Sequence, residues 1–488
     1  MTIKFSTKAD PIKPTVVALF EKDQADKALH GKTLHDFINT SIKHKTFNQE
    51  ASKVCSTHRV EKTRIQKILL TGFGKEKDWS EKNARDMAAG IIKAAKGMEA
   101  SDIHIILPHQ SLGELQALTE GLILGNYDPA LHKTGKDQEK KDKNKIKTIT
   151  LITNRWGKDH KAMVEKGQHI AMMVNYTRNL VNAPPNMLDI DAFVAEAKSI
   201  AKENKYTFTD IDKKKLEKMK MGGILAVNQG STHPAHMLIL EHKGADEDPI
   251  VLIGKGIIFD SGGVNLKPSG SMHEMHLDMA GAATVLGIFQ LLKKLNIKRH
   301  VIGITPVTDN AIDAKSYRPS EVITTYSGKT VEIKNTDAEG RMILCDALHY
   351  ASTDLKPQYI IDMATLTGAC MVALGYRNAG LFGNNEELIK KIEQSAKNTD
   401  EPLCHLPITD VDEKAMKGKV ADLANLSNTH NYAGSSRAAA FLKNFVNDSK
   451  WAHIDLAGPA FTKDPKPYEV SMGSGYGVRL IIDFLENL

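Results

Sequence analysis

One short stretch of this chain carries residues suited to chemistry: Asn335-Thr336-Asp337-Ala338-Glu339-Gly340-Arg341. Its two carboxylates stand two positions apart, with an arginine two further on. Residues at i and i+2 share a side in extended chain. If this segment is extended or looped, Asp337, Glu339 and Arg341 therefore point the same way. Two acids and a base on one face pack poorly but hold cations well. Taken alone, the same stretch also reads as a solvated turn between a strand and a helix.

A second block supplies more of the same groups. Gly254-Lys255-Gly256 leads through Asp260-Ser261-Gly262-Gly263 to Lys267-Pro268, and Asp278-Met279-Ala280-Gly281 follows. Four carboxylates from two blocks (Asp260, Asp278, Asp337 and Glu339) repel one another if they converge unneutralised. A pair of divalent cations removes that repulsion, and two-metal hydrolytic sites hold their ions about 3.5–4 Å apart. For Lys255, the reading from the residues alone is an ion pair with Asp260. For Arg341 it is a salt bridge to Glu339 at a helix start, and for Lys267 a surface lysine before Pro268.

Together the two blocks resemble the signature of the leucine aminopeptidase family, the di-metal cytosolic aminopeptidases, and the likeness runs from about Asn175 to the end. The resemblance implies one ion held by Lys255, Asp260, Asp278 and Glu339. It implies a second held by Asp260, by Asp337 through side chain and carbonyl, and by Glu339. Zinc, manganese and cobalt all suit such oxygen-rich ligation with one amine, and the expected pair is Mn²⁺ or Zn²⁺. A liganding lysine must be neutral, so the resemblance overturns the ion-pair reading of Lys255. It further implies Lys267 as the cation that stabilises an oxyanion, and Arg341 as the fork that holds a bicarbonate acting as base. The side-chain pocket for the N-terminal residue resembles Met275, Thr365, Leu366, Gly368, Ala457 and Ala460, an apolar set suited to leucine or methionine.

Other motifs are weaker. His273 and His276 flank Met275 without an HExxH pattern and read as surface residues or outer neighbours of the site. Gly254-Lys255-Gly256 lacks the glycine spacing of a phosphate loop. Gly473-Ser474-Gly475-Tyr476-Gly477 lacks the register of a dinucleotide fingerprint.

These groups need a scaffold. The chain has 488 residues, which favours two domains. Its hydrophobic fraction of 41% and charged fraction of 25% are those of a globular protein. No apolar run is read as a bilayer span, and Met1 to Ser6 show no apolar leader region. Four unclustered cysteines (55, 345, 370 and 404) fit a reducing cytoplasm, with Cys345 and Cys370 buried.

The net charge of +6 has a local source: residues 133–147 hold seven lysines against three acids. Such a run reads as a solvated loop. Without interleaved aromatics it offers no stacking platform for nucleic acid. A DNA-binding role is the alternative function, and salt-dependent retention on DNA separates it from the peptidase reading.

The first 157 residues alternate strand and helix, the pattern of a smaller α/β layer domain. Strands are expected at 14–20, 66–71, 102–107 and 148–153, and helices at 27–42, 81–98 and 112–124. Its expected role is subunit contact or shielding. A connecting helix over 158–182 ends at Pro184-Pro185. Residues 183–488 form the larger catalytic domain, with a mixed central sheet flanked by helices. Strands are expected at 221–227, 235–240, 250–254, 301–307, 359–363 and 451–456, with a hairpin at 322–333. The 250–254 strand is expected to be central, and sites in such sheets form at strand carboxyl ends. The resemblance also implies a homohexamer, peptide substrates, a cytoplasmic location and no membrane partner.

Overall fold

Ile250–Gly254 is a wholly buried strand, paired in parallel with Tyr359–Ala364 on one side and His300–Asn310 on the other. An uninterrupted apolar run is what a strand covered on both faces requires. The computed structural model describes residues 1–10, 12–22, 27–61, 64–108, 111–139, 145–154, 156–428 and 432–488.

The chain divides into two compact units, residues 1–172 with 465–470, and residues 173–464 with 471–488. The first holds a six-stranded sheet in the order Thr2–Ser6, Thr148–Ile152, Asp102–Ile106, Thr15–Phe20, Arg64–Gly74, Val54–Glu61. Only the last pair is antiparallel. Ser80 caps the helix Glu81–Lys96 by accepting from the Asn83 amide, as its position predicts. The strands Thr2–Ser6 and Val54–Glu61 are additional to those expected. Both lie at sheet edges and carry mixed polar sequence, so neither shows a hydrophobic run. Lys133 pairs with Asp137 at the surface, while residues 140–144 of the lysine run lie outside the described residues.

The second unit is built on a nine-stranded mixed sheet. Its path runs Leu403–His405, Ala379–Gly383, Trp451–Asp455, Tyr359–Ala364, Ile250–Gly254, His300–Asn310, His236–Lys243, Thr207–Ile211, with Gly256–Asp260 paired to His300–Asn310. The centre is parallel and the flanks include antiparallel pairs. The helix Ala280–Leu292 is buried at every residue but Gln290, which explains why it is apolar all round. The stretch Met275–Leu292 is long and apolar enough to cross a bilayer, contrary to the expectation of no such run, but 83% of it is buried inside the protein. It is a core element here.

The predicted hairpin is present as Val322–Thr324 against Thr330–Glu332. The strand expected over 221–227 is instead a helix, Gly222–Asn228. A short apolar run does not distinguish the two by periodicity. Tertiary contacts choose helix: Asp346 accepts the Ile224 amide at 3.0 Å. Cys345 and Cys370 are buried as expected, and the four cysteines are free.

Candidate functional site

The expected acids and lysines meet at the carboxyl ends of the central strands. Lys255 stands at the exit of Ile250–Gly254. Asp260 is the last residue of a strand of its own, Gly256–Asp260, rather than of the loop beyond its neighbour. Two positive-φ glycines, Gly262 and Gly263, then turn the chain sharply, and the Gly262 amide donates to Asp260 Oδ1 at 2.9 Å. A Cβ at Gly262 would stand 2.9 Å from Asp337 Oδ1, so glycine lets the two blocks close on each other. Asp278 is carried on the 3-10 turn Met275–Met279.

The Asp337-to-Arg341 stretch is not extended. Asp337 lies in a loop, and Glu339 and Arg341 sit in the first turn of the helix Glu339–Asp354. The turn of the chain, not strand alternation, brings the groups together. Gly340 makes room for Lys255, whose Nζ would be 2.7 Å from a Cβ there.

Lys255 Nζ stands 2.8 Å from Asp278 and 2.8 Å from Glu339, and donates to the Thr365 carbonyl at 2.9 Å. Its ion-pair partners are thus Asp278 and Glu339, not Asp260. Asp260 pairs with Lys267 at 2.8 Å, and Lys267 reaches Asp337 at 2.6 Å. Lys267 is therefore not a bare surface lysine. Arg341 donates through Nη1 to the Asn425 carbonyl at 2.7 Å, and among the described residues the alternative bridge to Glu339 is not formed. Its Nε is buried with no hydrogen-bond partner among the described residues.

Oxygens of Asp260, Asp337 and Glu339 lie within 4.8 Å of one another. Among the described residues this is the one group of three or more such side chains placed to hold an ion. Burial raises Asp278, Glu339 and Asp337 above the ordinary carboxylate range, and neighbouring carboxylates add to the shift. Burial disfavours the Lys255 cation, yet Asp278, Glu339 and Asp260 together lift it above its usual value. Lys267 is raised in the same way, burial being outweighed by Asp260 and Asp337. Burial pushes Arg341 down to about 10, against Glu339 and Asp455.

The chain matches the cytosol aminopeptidase family, catalytic domain, over residues 175–482, and that family's N-terminal domain over residues 16–136. It belongs to the cytosol aminopeptidase family. A probable cytosol aminopeptidase of Chlorobium phaeobacteroides is 40% identical over 439 residues, 86% of each chain. One from Rhodopirellula baltica is 36% identical over 503 residues, covering all of this chain and 97% of that protein. The solved bottromycin maturation enzyme BotP, in complex with Mn, superposes with a TM-score of 0.85 at 26% identity, over 98% of this chain and 99% of that one. This cytosol aminopeptidase family member is accordingly a metal-dependent aminopeptidase, a hydrolase acting on peptides.

The residues present fit divalent ions. Four carboxylates and the Lys255 amine bring their donor atoms to one place, and carboxylates this close repel one another unless cations stand between them. Carboxylate oxygens suit hard and borderline divalent ions.

Around this centre the pocket residues differ in exposure. Thr365 and Ala460 are buried, Met275, Leu366 and Ala457 are half-buried, and Gly368 is exposed. The Thr365 hydroxyl donates to Asp278 Oδ1 at 2.7 Å, so it is engaged with the acid rather than offered to a substrate side chain. His273 is exposed, and His276 packs edge-on against Phe461. Neither joins the acid group.

Sequence reasoning missed Asn310, Asn425 and Asp455. Asn310 donates to Asp260 Oδ1 at 2.8 Å and to the Thr336 carbonyl at 3.1 Å. Asn425 accepts the Lys334 amide at 2.7 Å and donates to the Asn335 carbonyl at 2.7 Å, fixing the loop that carries Asp337. Each acts across 26 to 91 positions of sequence, and no local pattern marks it.

Proposed function

We propose that this protein removes the N-terminal residue, leucine or another apolar one, from peptides with a free amino group, at a centre of two divalent ions. The observation that carries this reading is the convergence of Asp260, Asp337 and Glu339 within 4.8 Å, beside Asp278 and two lysines. Asp260, Asp278, Asp337 and Glu339 would hold the ions in this reading, and Lys255 would join them only without the proton that Asp278 and Glu339 otherwise favour. When bound, Mn²⁺ or Zn²⁺ lowers the pKa of a water and polarises the scissile carbonyl.

The chain's own residues do the rest. Lys267, 2.8 Å from Asp260 and 2.6 Å from Asp337, is placed at the edge of the acid group to offer its ammonium to the oxygen that becomes negative as the amide carbon is attacked. The buried Arg341 Nε–H has no partner among the described residues. A planar anion such as bicarbonate suits that fork and would accept the water's proton. Met275, Leu366, Ala457 and Ala460 supply an apolar wall for the departing residue's side chain, beside Thr365 and Gly368. Cytoplasmic peptide turnover and a homohexameric assembly belong to the same reading.

The test is metal removal and return. Chelated protein, shown free of metal by elemental analysis, should lose leucyl-peptide hydrolysis, and Mn²⁺ or Zn²⁺ should restore it. Full activity in the metal-free protein would sink the reading.

A further inference from the structure

Two neighbouring parallel strands, Tyr359–Ala364 and Trp451–Asp455, each lead directly into residues proposed for the side-chain pocket. Beyond their ends the chain diverges into the loop 365–368 and into Leu456–Ala460. One carboxylate ties these exits together. Asp455 Oδ1 accepts the Leu366 amide at 3.1 Å and the Ala457 amide at 3.1 Å. Its Oδ2 accepts the Thr367 hydroxyl at 2.7 Å, and that hydroxyl in turn caps the helix Gly368–Leu374 by accepting from the Cys370 amide at 3.0 Å. Asp455 itself is fully buried.

At the start of the loop, Thr365 is held by the acid centre. Its hydroxyl donates to Asp278, and its carbonyl accepts from Lys255. The loop is thus pinned to the acid centre at Thr365 and to the second strand exit at Leu366 and Thr367. The two anchors use different atoms, although the Thr365 carbonyl and the Leu366 amide lie in one planar peptide group.

We infer that Asp455 is the positioning residue that sets the width of the side-chain pocket, by holding the Leu366 and Ala457 walls on a single oxygen. This rests on the peptidase reading above. Because Asp278 and Lys255 still hold Thr365 when Asp455 is shortened, loosening Asp455 should move Leu366 and Ala457 most and leave the ligands in place. It should cost most with a side chain long enough to touch both walls. A leucyl side chain is; an alanyl methyl is not. A mispositioned apolar wall is worth about tenfold or more in discrimination.

The experiment compares wild type with Asp455→Ser, Asp455→Asn and Thr367→Val. Metal content, kcat and KM on leucyl and alanyl peptides, and calorimetric Kd for free L-leucine and L-alanine, are read for each. Serine is too short to bridge the two amides. Asp455→Ser should lower the leucine-to-alanine ratio of kcat/KM about tenfold, chiefly through KM, with metal content unchanged. Asparagine retains an oxygen for both amides and offers its amide to the Thr367 hydroxyl, so Asp455→Asn should return the ratio to within about threefold of wild type. If Asp455→Ser does not fold, Thr367→Val should shift the ratio in the same direction by a smaller factor.

An unchanged ratio, a fall equal on both substrates with loss of metal, or no rescue by asparagine overturns the inference. The amino-acid Kd ratio reads the pocket without turnover. Inactive wild type would therefore sink the peptidase reading while the role of Asp455 is still decided by binding.

Discussion

Thr365 donates its hydroxyl to Asp278 at 2.7 Å while both hold the Lys255 ammonium, Thr365 through its carbonyl and Asp278 through its carboxylate. A neutral side chain thereby orients an acid and a base of the candidate metal centre. Partners of this kind are worth about 10- to 100-fold in metal affinity. Thr365→Val, which keeps the shape and loses the donor, should weaken binding of one ion per chain by that factor. Thr365→Ser should retain it. Calorimetric titration of the metal-free variants with Mn²⁺ checks both, and equal affinity in valine and wild type would refute the role.

Lys267 and the acids should separate cleanly. Asp337→Ala and Glu339→Ala should lose metal and activity together, since both contribute oxygens to the group within 4.8 Å. Lys267→Ala should keep both ions and lose about 10²–10³-fold in kcat, the scale of an oxyanion donor. Elemental analysis beside steady-state kinetics decides. Loss of an ion in Lys267→Ala would show that Lys267 works through the metals instead.

The substrate's amine gives a third test. A neutral α-amine has a lone pair to offer an ion, and acetylation removes it. Leucyl peptides should be cleaved and N-acetyl-leucyl peptides left intact in paired time courses read by mass spectrometry. Comparable rates on the two would exclude an aminopeptidase. Proline at the second position should also slow cleavage, because it removes the amide hydrogen and constrains the backbone.

A buried pair behind the centre makes stability depend on pH. His453 Nδ1 stands 2.6 Å from Asp362 Oδ1, and both are fully buried. Burial disfavours the imidazolium, but Asp362 outweighs it and raises His453 above its ordinary value of 6.5. A raised histidine favours the folded protein fully below the unfolded pKa, near 6.5, and this contribution is lost as pH climbs through the folded value. The slope is at most about 1.4 kcal/mol per pH unit for one proton. Unfolding midpoints of wild type should thus fall from pH 6.5 upward more steeply than those of His453→Gln. Parallel curves would mean that His453 does not change protonation on unfolding.

The sequence by itself determined which groups could meet and what they could do. The spacing in Asp337-Ala338-Glu339-Gly340-Arg341, the glycines around Lys255 and Asp260, and the family likeness drew out the acids, Lys267 and Arg341 before any contact was known. It also determined the central strand, because Ile250–Gly254 is apolar on both faces and only full burial accounts for that. Short apolar runs were less legible. The apolar run at 221–227 reads as a strand, whereas the chain forms the helix Gly222–Asn228, with Asp346, 122 positions from Ile224, accepting that residue's amide.

Only the tertiary structure decided who partners whom. Lys255 could have paired with the nearer Asp260 but meets Asp278 and Glu339, because the helix starting at Glu339 and the turn carrying Asp278 both close over it. Asn425 acts through a backbone amide and a carbonyl 91 and 90 positions away, and Asp455 reaches the Leu366 amide across 89. A hydrogen bond to a backbone group is blind to the side chain at the other end, so no residue pattern records it. Such contacts exist only once the strands have been brought side by side.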